Sequence, residues 1–117
     1  MAQVQVGPDH AVAGIIHVQI LRDDTSTDPQ TAFSAQINAP GPQQLTLPLN
    51  NGSALDFPVS SGNVQGQVHV EVDDFRTLPA GASAGSATAI ACKIVFKLQA
   101  FIFHVVLGSV DVTAALK

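Results

Sequence analysis

Apolar and polar residues alternate along most of this chain, and a side-chain period of two is the signature of a β-strand. The segment 63–72 shows the pattern most clearly, with valines at one phase and polar residues at the other. Helices receive little support, because Glu71 is the single Glu beside eight Asp and five Lys plus Arg, too few of the residues that cover helix surfaces. The sequence therefore predicts an all-β protein.

The spacing of the alternating runs predicts about eight short strands. A length of 117 residues is typical of one domain, so we expect residues 1–117 to form a single domain. Short strands between turn residues favour a two-sheet antiparallel β-sandwich with a jelly-roll-like order. A closed β-barrel is the alternative.

Turn residues divide the runs. Asn50-Asn51-Gly52-Ser53 predicts a hairpin between the runs 43–49 and 54–59. Pro48 and Pro58 lie at outward positions of these runs and cannot donate backbone hydrogen bonds, which places the hairpin at a sheet edge.

The second half of the chain has fewer turn signals. We expect a long loop over 73–85, and then a β pattern over 86–107 that exceeds the usual strand length and predicts a bulge or bend. Residues 110–114 are predicted to be a strand, with a helical turn capped by Asp111 as the alternative.

The charge balance excludes some partners. Charged residues make up 12% of the chain, the net charge is -4, and there is no cluster of Lys and Arg. Without cations to neutralise phosphates, nucleic acid and anionic membranes are poor partners. No signal peptide or transmembrane segment is visible, which predicts a soluble protein of unknown compartment. Cys92 is the only cysteine, so it predicts a buried thiol and no internal disulfide.

The segment from Phe101 to Leu107 is apolar at both phases apart from His104. A strand that is apolar on both sides must be covered on both sides, and a surface this poor in charge resists self-association weakly. We therefore expect a homo-oligomer whose interface includes the residues Phe101, Phe103, Val105 and Leu107. The leading functional prediction is a non-enzymatic, self-associating structural or adaptor module.

Aspartates cluster in two predicted loops. One loop carries Asp23, Asp24 and Asp28, and the other carries Asp73 and Asp74. Carboxylate oxygens are the ligands that Ca²⁺ prefers, although neither spacing matches a complete calcium loop. The second functional prediction is therefore a ligand-binding module for a glycan or a protein, such as a calcium-dependent or glycan-binding lectin.

Histidines suggest a third function. His69 and Glu71 lie two residues apart at outward positions of one strand, and His17 lies at an outward position of another. If the two strands were neighbours, two imidazoles and a carboxylate would meet, which is a ligand set that zinc or iron accepts. A metal-dependent enzyme is thus the third prediction. No catalytic triad or other catalytic residue can be identified, and no further cofactor is predicted.

Overall fold

The computed structural model describes residues 3–62, 64–82, 85–100 and 103–116. All regular structure in these ranges is β-strand, as the sequence predicts. The strands are β1 (Gln3–Gln5), β2 (His10–Val12), β3 (Ile16–Asp23), β4 (Phe33–Ala39), β5 (Gln43–Pro48), β6 (Ala54–Ser61), β7 (Val64–Leu78), β8 (Ala89–Ala100) and β9 (Phe103–Ala115). Consequently the described ranges contain no helix that could cross a membrane.

The strands form two antiparallel sheets. The five-stranded sheet has the order β1-β3-β4-β5, and β2 pairs with β3 beside β1; the four-stranded sheet has the order β6-β7-β8-β9. No strand pairing within the described ranges joins the two sheets, so the closed barrel is not formed. The chain passes from one sheet to the other once, between β5 and β6. The jelly-roll-like order, which requires repeated crossings, is therefore wrong.

The expected hairpin at Asn50 to Ser53 is also wrong. β5 pairs with β4 and β6 pairs with β7, so this turn carries the chain between sheets. The turn itself is present as predicted, since the Ser53 backbone N–H donates to the Asn50 carbonyl and Gly52 has a φ of 85°. Pro48 and Pro58 do lie on edge strands, as predicted, because an edge strand tolerates a missing donor.

Nearly all buried side chains of the two sheets belong to one apolar cluster; Ala91 and Val95 of β8 are buried outside it. The alternation creates this cluster, because every second residue of the inner strands faces it. Its largest fully buried members are Phe57, Phe96, Ile16, Ile20, Ile37, Leu47, Leu49, Ile90 and Ile94. Burying each such side chain contributes about 1.5–3 kcal/mol, so the cluster is the main source of stability.

Residues 73–78 are strand and not loop. β7 continues to Leu78 through an irregularity in its pairing with β8 between Asp73 and Arg76. Asp74 has a φ of 56°, the left-handed backbone conformation found in some bulges. The bulge shifts the phase of the alternation, and this is why the strand pattern appears to stop at Val72.

The long β pattern over 86–107 is two strands. β8 and β9 pair antiparallel from Ala89 with Ala115 to Ala100 with Phe103, so the chain reverses where the sequence predicted only a bulge or bend. A register shift between Phe96 and Lys97 adds a bulge within the pair. Residues 110–114 lie in β9, which confirms the predicted strand and excludes the helical turn.

Candidate functional site

β9 forms one edge of the four-stranded sheet, because β8 is the only described strand that pairs with it. It is 13 residues long. The outer side of an edge strand presents unpaired backbone N–H and C=O groups, which can pair with another chain. β9 is thus a long edge with the hydrogen-bonding capacity to extend the sheet.

The two halves of β9 differ in burial. In the C-terminal half, Val110, Val112 and Ala114 are buried in the core. In the N-terminal half, Val105 is 52% exposed and Val106 is 61% exposed, the highest values for large apolar side chains among the residues described. Adjacent strand residues face opposite sides of a sheet, so both faces of β9 are apolar at this point.

This half of β9 also lacks charge. Residues 98–110 contain no Asp, Glu, Lys or Arg. Proteins protect sheet edges with charges, prolines or very short strands, and the other edges here have such features. β6 carries Asp56 and Pro58, β5 carries Pro48, and the edge beside β3 is divided into two three-residue strands. The N-terminal half of β9 has none of these three features, and its one protective feature is the bulge at Leu107 in its pairing with β8.

The residues that sequence analysis assigned to an interface lie here, although the structure describes them unequally. Leu107 is half-buried and packs against the core cluster, and Val105 is exposed. Phe101 lies outside the described residues. Phe103 is the first residue of β9, but its side chain also lies outside the description. Val106 was not selected from the sequence, although it is the most exposed large apolar side chain among the described residues.

Gly108 lies near the middle of β9, where this strand passes close to β2. A Cβ atom built on Gly108 would lie 3.2 Å from Cγ1 of Val12 in β2. This separation is tighter than ordinary van der Waals contact, so glycine allows β9 to approach the other sheet closely here. The exposed N-terminal half of β9 directly precedes Gly108 in the chain.

The first aspartate loop uses its carboxylates locally. Asp23 accepts hydrogen bonds from Thr25 Oγ1 at 2.7 Å and from the Thr25 backbone N–H at 2.9 Å, and these bonds hold the pKa of Asp23 below its usual value. Asp28 accepts a hydrogen bond from the Gln30 backbone N–H at 2.9 Å. Asp24 also lies in this turn. These bonds are typical of Asx-turns, in which aspartate shapes a loop.

The second aspartate pair lies at the β7 bulge. Asp73 and Asp74 line an open cleft of about 390 Å³ together with Glu71 and residues 51–54. Burial and repulsion from Glu71 raise the pKa of Asp73. The pKa of Glu71 shifts in the opposite direction, because a hydrogen bond with Lys97 lowers it. Lys97 Nζ also forms an ion pair with the Glu71 carboxylate. A calcium site at either aspartate group stays a prediction.

The proposed metal ligands are not brought together. His17 lies on β3 of the five-stranded sheet, whereas His69 and Glu71 lie on β7 of the four-stranded sheet, so the premise of neighbouring strands is wrong. His69 Nδ1 is instead 2.7 Å from Asp56 Oδ1 on β6. No group of three or more His, Cys, Asp or Glu residues in the described ranges is arranged to hold a metal ion.

The cross-strand pairs of the four-stranded sheet were not predicted from the sequence. Asp56 faces His69, which in turn faces Lys97, and Glu71 contacts Lys97 diagonally. Each residue was visible as an outward polar position, but pairing them requires the strand register. The β7 bulge and the missing turn signal near residue 101 concealed that register.

No protein-family model matches this chain, and neither the curated proteins nor the solved structures contain a significantly similar protein.

Proposed function

We propose that this protein is a non-enzymatic structural module that self-associates through the N-terminal half of β9. In this proposal its two sheets pack face to face as a β-sandwich, with the common apolar cluster between them. The observation that carries the proposal is the exposure of Val105 and Val106 on an uncharged sheet edge. The partner is a second copy of the chain.

The simplest contact is a two-fold one. Two copies of β9 lie antiparallel, and their free N–H and C=O groups pair to extend each four-stranded sheet across the interface. Val105 of each copy contacts the partner on one face of the extended sheet, and Val106 does so on the other. Burying this apolar surface contributes about 25 cal/mol for each Å², in addition to the new backbone hydrogen bonds.

Glutamate substitutions on two strands test this proposal with a matched control. Val106 faces Lys97 across the β8–β9 pair, so Glu in Val106→Glu gains a cross-strand cation within its own chain. Val4 is 42% exposed on β1 and faces Arg22, so Val4→Glu makes the same change beside a cation on the other sheet. Both variants should fold, and circular dichroism checks this directly.

Sedimentation velocity from about 1 to about 100 µM measures the association, a range suited to micromolar dissociation constants. We expect the natural chain and Val4→Glu to sediment as oligomers with rising concentration. Val106→Glu should remain monomeric, because two carboxylates would then lie at the interface. A natural chain that is monomeric at every concentration contradicts the proposal, as does a Val106→Glu variant that associates normally.

A further inference from the structure

His104 is the only ionisable side chain in the exposed half of β9. Residues 98–110 contain no other His and no Asp, Glu, Lys, Arg, Cys or Tyr. The nearest acidic residue of β9 is Asp111, ~23 Å further along the strand. Histidine is the side chain that ordinarily gains its charge between pH 5 and 8. An edge without protective charge at neutral pH therefore contains one group that can supply a charge in mild acid.

His104 lies on the same face of the sheet as Val106. The two residues are two positions apart in β9, and they pair with Gln99 and Lys97 of β8. His104 is exposed, and its imidazole has no hydrogen bond or ion pair with any residue that the structure describes. A proton on His104 would place a charge beside Val106, on the surface that the proposed interface buries.

The charged groups around His104 offer it no counter-charge. Lys97 of β8 lies diagonal to His104 and is paired with Glu71, and β8 itself contains no Asp or Glu. β2 packs against the C-terminal half of β9, where its His10 lines a cavity with residues 111–114. A protonated His104 therefore faces no carboxylate from the strands packed against it.

The proposed two-fold contact brings the His104 residues of two copies near each other. With the axis at Val105, each His104 lies opposite Val106 of the other copy, and the two histidines are ~6.7 Å apart along the paired strands. With the axis at Val106, they are ~13 Å apart along the strands. In both arrangements the imidazoles share one face of the extended sheet. These separations are comparable with the Debye length of about 8 Å at physiological ionic strength, so two protonated rings repel each other.

We infer that self-association through β9 is sensitive to pH, and that protonation of His104 separates the copies in mild acid. This inference rests on the proposed function and adds its regulation. Pairing the two edges removes water from each imidazole, which also disfavours the charged form in the associated state. Separated copies therefore bind protons more readily, and lowering the pH favours them.

The net charge predicts the opposite trend. It is -4 with neutral histidines, and protonation of all four histidines brings it to zero. Overall repulsion between copies is then smallest in mild acid, where a protein of this composition should associate more strongly. Weaker association in acid would thus identify a local group at the interface as its cause.

Sedimentation velocity of the full chain at about pH 7.5 and about pH 5.5 tests the inference across the range in which histidine is titrated. We expect the dissociation constant to be about tenfold higher at the lower pH. His104→Gln cannot ionise and should associate equally at both pH values. His17→Gln is the matched control, because it removes an exposed histidine from the other sheet and should keep the full pH dependence. His104→Lys is charged at both pH values and should associate weakly at both, which tests the charge without acid.

The outcomes separate this inference from the proposed function. A natural chain that associates equally at both pH values, or more strongly in acid, overturns the inference and leaves self-association through β9 intact. A His104→Gln variant that still dissociates in acid also overturns it, as does a His104→Lys variant that associates normally. A natural chain that is monomeric at both pH values overturns the proposed function and this inference with it.

Discussion

Gly66 on β7 and Gln99 on β8 approach each other so closely that a side chain at Gly66 would not fit. A Cβ atom built on Gly66 would lie 2.5 Å from the carbonyl oxygen of Gln99, and the φ of Gly66 is 143°. Both features require glycine. Gln99 lies near the end of β8, next to the connection to β9. The close approach therefore positions the start of the segment that exposes Val105 and Val106.

We predict that Gly66→Ala lowers the free energy of unfolding by about 1–3 kcal/mol, through backbone strain and the contact with Gln99. Urea denaturation measures the change. Gly62→Ala is the matched control, because Gly62 also has a positive φ of 57° but nothing lies within 4 Å of an added Cβ. An equal loss in both variants would show that the approach to Gln99 has no energetic role.

Glu71→Gln should destabilise the protein near neutral pH. The hydrogen bond with Lys97 lowers the pKa of Glu71, so its ionised form contributes stability above the usual carboxylate range. That contribution disappears as the pH falls through the lowered pKa and Glu71 becomes protonated. Thermal melts of both proteins should therefore differ by a few degrees at neutral pH and converge in acid. A difference that persists unchanged in acid argues against this ion pair as its source.

Asp73→Asn should have the opposite effect. Burial and the neighbouring Glu71 carboxylate raise the pKa of Asp73, so its ionised form is disfavoured in the folded state. Removing this charge should raise the melting temperature near neutral pH, where Asp73 is ionised. The gain should vanish as the pH falls through the raised pKa, because Asp73 then becomes neutral in the natural protein. Destabilisation at neutral pH would contradict the assigned repulsion.

Cys92 should react slowly with thiol reagents in the folded protein. Burial raises its pKa to about 11 from 9.0, so almost no thiolate is present near neutral pH. Reaction with a disulfide reagent should accelerate sharply once urea unfolds the chain. The raised pKa also predicts that stability falls as the pH rises from about 9 to about 11, because the unfolded thiol ionises first. Rapid labelling of the folded chain would contradict burial of this thiol.

The all-β class was predictable because alternation is a local property. Val68, Val70 and Val72 follow one another at period two, and the structure buries all three. The edge positions of β5 and β6 were also predictable from Pro48 and Pro58. Proline has no backbone N–H to donate, so a strand that contains it favours a sheet edge, whichever strand it pairs with. In each case the physical cause lies in the residue itself.

Features that depend on register were not predictable. Between Gln99 and His104 there is no Gly, Pro, Asn or Asp, so the chain reversal between β8 and β9 carries no turn signal. The turn at Asn50 to Ser53 was predicted, but a turn sequence does not determine whether the next strand joins the same sheet. For this reason the sequence left open whether His17 and His69 lie on neighbouring strands, and the pairing of His69 with Asp56 was not predicted.

Amide hydrogen exchange across residues 103–109 tests most directly whether β9 is the interface. At concentrations where the natural chain associates, we expect the outward amides of this segment to be protected. The protection should disappear on dilution and in Val106→Glu, while Val4→Glu should retain it. Exchange in this segment that is fast and independent of concentration, in a chain that still associates, would contradict the assignment of the interface to β9.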